Sequence, residues 1–144
     1  MKYKSVVEII SSLFILLFVY TAVSKWLDYR SFQNTLKQSP LIGSFAAVIV
    51  WLLPLTELTI AGLLFYWPTR KLGLYAAGSL MILFSGYIGY MLLFASHLPC
   101  SCGGVLKYLS WRSHLFFNLG FILLAIIGLR LIREKQNRIY NNRE

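Results

Sequence analysis

A chain of 144 residues that is 58% hydrophobic and only 13% charged, with a mean hydropathy of +0.65, does not have the composition of a soluble globular domain. It reads as an all-α membrane protein, and no repeat or low-complexity segment marks a second domain. The net charge of +9 follows from basic residues at helix ends and in the tail, so it expresses membrane orientation rather than nucleic-acid binding.

The first apolar stretch, residues 6–24, has the length of a membrane span. Its basic start at Lys2 and Lys4 and the small residues Ala22 and Ser24 resemble a secretory signal. The run is long for one, Glu8 lies in its first turns, and Lys25, Trp26 and Tyr29 follow as an interfacial anchor with Lys25 snorkelling outward. The stretch is therefore expected to persist as a helix.

Residues 25–43 alternate Asp28, Arg30, Gln33, Asn34 and Lys37 with Trp26, Leu27, Phe32 and Leu36. This is an amphipathic pattern suited to the membrane interface, and Pro40 ends it. The second stretch, 44–67, contains Pro54 and Glu57. Proline removes a helix hydrogen bond and frees a carbonyl, and an ionisable group at this depth requires an explanation. Glu57 is a candidate intramembrane proton relay or head-group contact, either protonated or paired with a base from a neighbouring helix. The bland reading is a neutral carboxyl that ties helices together.

A short turn around Arg70 and Lys71 leads into the third stretch, 72–95, where Gly73 with Ala77, Ser85 with Gly89, and Gly86 are expected to permit close helix approach. The fourth stretch, 115–132, is followed by a basic tail, 134–144. The expected organisation is one membrane domain over residues 1–133 plus that tail.

Four crossings place both termini on one side. Lys2, Lys4, Arg70, Lys71, Arg130, Arg133, Lys135, Arg138 and Arg143 lie there, against Lys25, Arg30, Lys37, Lys107 and Arg112 opposite. Positive charge favours the cytoplasm, so the N and C termini are expected to be cytoplasmic in an inner membrane, with the connection between the last two spans facing the periplasm.

That connection holds both cysteines, Cys100 and Cys102, within His97-Leu98-Pro99-Cys100-Ser101-Cys102-Gly103-Gly104. In an oxidising compartment the pair favours disulfide chemistry. Bridging two residues so close in sequence requires a bend, which the glycines allow, and the tiny ring would be a poor staple. A strained, exposed bridge is easily reduced and suits exchange with another protein. Arg112 is a candidate thiolate stabiliser and His114 a candidate base, with Ser113 near the start of the last helix; the bland reading makes Arg112 and His114 interfacial residues and Ser113 a helix cap. A metal site from the cysteines with His97 and His114 is disfavoured, because Cys-x-Cys is tighter than zinc-finger spacing and no second pair exists. No metal ligand is assigned.

The segments Ser24 to Phe32, Trp51 to Leu58 and Cys100 to Gly104, with Trp111 and Asn118, together resemble the MauE/DoxX-like membrane proteins. The matching residues are Lys25, Pro54, Glu57, Cys100, Cys102, Gly103 and Asn118. The resemblance implies a four-helix bundle with its cysteine motif outside the membrane, serving redox maturation of exported proteins beside thioredoxin-like or disulfide-containing partners. DoxX relatives also include a subunit of a thiosulfate:quinone oxidoreductase, so a quinone is the one cofactor this reading admits. With two cysteines in all, the chain has no internal relay of disulfides and must depend on a partner protein. Two rivals stand beside thiol-disulfide exchange: a non-enzymatic subunit that stabilises a larger membrane complex, and a subunit of a quinone-linked oxidoreductase with Glu57 near the head group.

Overall fold

A computed structural model describes residues 2–94 and 110–141. The described residues form α1 (Lys2–Leu27), α2 (Tyr29–Lys37), a 3-10 turn (Gly43–Phe45), α3 (Ala46–Phe65), α4 (Arg70–Phe94) and α5 (Trp111–Asn141). Four of these helices, all but α2, are long and apolar enough to cross a membrane. At 1.5 Å per residue the 26 residues of α1 span about 39 Å, more than the hydrocarbon thickness of about 30 Å.

The four long helices form a closed bundle in which α1 packs on α3 and α4 packs on α5 most extensively. Phe14 and Phe18 of α1 are fully buried among Leu64 of α3, Leu74 and Ala77 of α4 and Ala125 of α5. The first stretch is thus an integral member of the bundle. Phe121 packs edge-on against Phe14 with ring centroids 5.1 Å apart, which joins α5 to α1.

One end of the bundle is fixed by the α3–α4 turn. There Lys135 of α5 lies over the rings of Tyr3 and Trp67, and Lys71 donates to Gln136. These contacts place the start of α1, the end of α5 and the turn together, as four antiparallel crossings require. Gly73 is obligatory here: a Cβ on it would meet the Leu64 backbone nitrogen at 2.9 Å. By contrast a Cβ on Gly86 or Gly89 would enter open space, so the expected close approach at those glycines does not occur within the described residues.

At the opposite end α2 lies across the bundle. Phe32 and Leu36, one helical turn apart, bury against Ala46 and Val50 of α3, while Arg30 and Lys37 stay exposed. Tyr29 packs on Trp51 at 5.5 Å, and Tyr87 of α4 donates to the Ser39 hydroxyl at 2.9 Å. A Cβ on Gly43 would meet the Lys37 carbonyl oxygen at 2.7 Å, so this close return of the chain needs glycine. The helix expected over 115–132 is longer on both sides: α5 begins at Trp111 and runs through most of the tail to Asn141. Its N-cap is Ser110, whose Oγ accepts from the Ser113 backbone N–H at 3.2 Å, so the capping residue is Ser110 and not Ser113.

Candidate functional site

Lys25 and Glu57 meet inside the bundle. Lys25 Nζ donates to Glu57 Oε1 at 2.7 Å and Oε2 at 3.1 Å, and it also reaches the Thr21 carbonyl at 3.4 Å. Glu57 is 1% exposed and Lys25 8%. The outward snorkelling expected of Lys25 is therefore corrected, and backbone geometry supplies the reason. Side chains tilt toward the N-terminus of their own helix, so a lysine in the last turn of α1 points back into the bundle. Glu57, on the antiparallel α3, tilts the other way. The two side chains are aimed at each other.

Pairing answers the problem posed by each charge alone, because an isolated ion in a low-dielectric interior is strongly disfavoured. Nζ has three donors, and two carboxylate oxygens and one carbonyl occupy them. Phe32 of α2 covers the ammonium at 5.8 Å from its ring centroid. Three candidate residues now have positions: Glu57 bonds Lys25, His114 is half-buried, and Arg112 is exposed on the first turn of α5. α3 continues as a helix through the buried Pro54, three residues before Glu57.

The pair lies in the wall of a cavity of about 380 Å³. From α1 come Phe18, Thr21 and Lys25, from α3 Leu53 and Glu57, and from α5 His114, Phe117 and Asn118. α4 contributes a stripe through Leu83, Phe84 and Tyr87, while Phe32 and Leu36 of α2 close the end. Apart from Glu57, near the middle of α3, these residues occupy the half of the bundle away from the α3–α4 turn. Glu57 and His114 are thus brought to one cavity. Cys100, Cys102, His97 and the glycines beside the cysteines lie outside the described residues.

Asn118 was visible in the sequence as a residue of the resemblance, with no role attached. It is 2% exposed, lines the cavity, and its Nδ2 has no hydrogen-bond partner among the described residues. The partnership of Lys25 with Glu57 had a usable signal, namely two opposite charges each bordering or interrupting an apolar stretch. A family model described as Methylamine utilisation protein MauE matches residues 3–131. The chain belongs to the MauE family. The match takes in α1 from Tyr3, all of α3 and α4, and α5 as far as Leu131, together with both cysteines and the Lys25–Glu57 pair. No curated protein and no solved structure matches this MauE-family chain.

Proposed function

We propose that this MauE-family protein is a thiol-disulfide redox protein of the inner membrane, with cytoplasmic termini and with Cys100 and Cys102 on the periplasmic side. In this reading it supports maturation of exported proteins through a thioredoxin-like or disulfide-containing partner. The observation that carries it is the position of the two cysteines in the chain. They lie on the connection from Phe94 to Ser110, which by topology starts and ends at the bundle end that holds α2 and the cavity.

The exchange balances without another reactant. A thiolate of the pair attacks a partner disulfide and displaces one partner thiolate, forming a mixed disulfide. The second cysteine attacks that bond, the partner leaves as a dithiol, and Cys100–Cys102 is left oxidised by two electrons. The reverse sequence transfers a disulfide to the partner. Acid-quenched alkylation of cells tests the reading, with single Cys100→Ser and Cys102→Ser variants used to trap mixed disulfides. One single variant is expected to accumulate a partner adduct that reductant releases and that the double variant lacks. A pair that never exchanges, or an adduct that persists in the double variant, rejects it.

A second reading, a non-enzymatic subunit of a larger membrane complex, is favoured by the open space beside Gly86 and Gly89 on α4, where another helix can approach. It is separated from the first by function in the cysteine-free variant and by loss of assembly in Gly86→Leu.

A further inference from the structure

We propose that the bundle end at the α3–α4 turn holds an anionic phospholipid, whose phosphodiester is shared by Arg70, Lys71 and Lys135. Neighbouring groups set these cations in place. Arg70 Nε donates to the Leu64 carbonyl in the last turn of α3 at 3.0 Å, and its guanidinium lies over the Trp67 ring at 4.6 Å. From α5, Lys135 Nζ stands 5.8 Å from the centre of the same ring and 5.3 Å from that of Tyr3. Lys71 is turned toward α5 by its bond to Gln136. Three cations from two helices therefore gather around one indole.

The chain has too few acids to neutralise them, with five against 14 lysines and arginines. Glu57 is committed to Lys25, and Asp28 stands at the opposite end beside α2. Glu8 and Glu134 form no ion pair among the described residues, and Glu144, nine positions beyond Lys135, lies outside them. Grouped like charges repel, and aromatic rings compensate them only weakly. A phosphate offers charge-assisted hydrogen bonds to all three. The location selects a lipid rather than a soluble anion. Trp67 sits just past the end of α3, at the level where tryptophan meets headgroups. Phe65 and Leu72, 73% and 59% exposed on the adjoining turns of the two spans, extend an apolar surface from the cations toward the bilayer. A headgroup with its own ammonium would add a like charge, so the fit is to an amine-free one. The inference does not depend on Cys100 or Cys102.

Lipid titration of the full-length protein in a neutral detergent, read by native mass spectrometry, provides the test. The probes are phosphatidylglycerol and phosphatidylcholine with identical short chains. Saturable retention of one phosphatidylglycerol is expected, about tenfold tighter than phosphatidylcholine. Arg70→Gln with Lys135→Gln is expected to weaken it about tenfold or more, at about fivefold per charge. Lys4→Gln with Arg138→Gln removes the same charge from exposed positions at the same end and is expected to stay within about twofold of the parent. Lys135→Gln alone, which gives up only ring contacts, decides the matter if Arg70→Gln does not fold. Equal retention of the two lipids, or equal weakening by the two double variants, would overturn the site in favour of diffuse charge. Displacement of the lipid by millimolar inorganic phosphate would overturn the lipid in favour of a soluble anion.

Discussion

Nζ of Lys25 in the last turn of α1 lies 2.7 Å from Oε1 of Glu57 near the middle of α3, and this buried contact ties the two helices together beneath α2. Removing one partner strands the other charge in an apolar wall. Lys25→Met and Glu57→Gln are therefore unequal tests. The lysine exchange leaves a carboxylate unpaired and is expected to destabilise by about 3–5 kcal/mol, whereas the glutamine keeps a hydrogen-bond acceptor for the ammonium. The Lys25→Met/Glu57→Leu double variant is expected to recover most of that loss. Thermal unfolding in detergent of the single and double variants reads the coupling, and additive effects would contradict a mutually dependent pair.

The close contact at Gly73 predicts a polarised sensitivity along α4. Gly73→Ala forces a methyl against the Leu64 backbone and is expected to destabilise by about 1–3 kcal/mol. Gly86→Ala projects into open space and is expected to stay within about 0.5 kcal/mol of the parent for the isolated chain. The two melting temperatures in one detergent make the comparison.

Ser110 Oγ satisfies a backbone donor in the first turn of α5. Ser110→Ala is expected to lower local stability by about 1 kcal/mol and to speed amide hydrogen exchange in that turn. Ser113→Ala removes only the hydroxyl partner of the cap and is expected to do less. Equal exchange rates in the two variants would place the cap elsewhere.

Membrane orientation yields a labelling prediction. In a cysteine-free background, Leu41→Cys on the exposed connection after α2 should react with an impermeant thiol reagent in cells whose outer membrane is permeable. Asn137→Cys, near the exposed end of α5, should react only after the inner membrane is opened. The reverse pattern would invert the orientation set by the basic residues.

Much of the fold was legible because each membrane crossing is written locally. About 20 apolar residues must satisfy their backbone internally, and helix is the available solution, so residues 6–24, 44–67, 72–95 and 115–132 identify α1, α3, α4 and α5. The spacing of Phe32 and Leu36 likewise marks the buried face of α2. The ends of the helices were less legible, since the polar tail continues α5 without an apolar face of its own and Ser110 caps it from outside the apolar run.

The site divides in the same way. The sequence by itself determined that Glu57 must be either protonated or paired, because an ionised group within a span is unfavourable when it stands alone. Only the tertiary structure decided that the partner is Lys25, since the inward tilt of a lysine at the end of α1 becomes useful only when an antiparallel helix aims a carboxyl back at it. It also decided which residues share the cavity. Glu57, His114 and Asn118 come from distant parts of the chain and share one cavity through the packing of the helices, which no local pattern encodes.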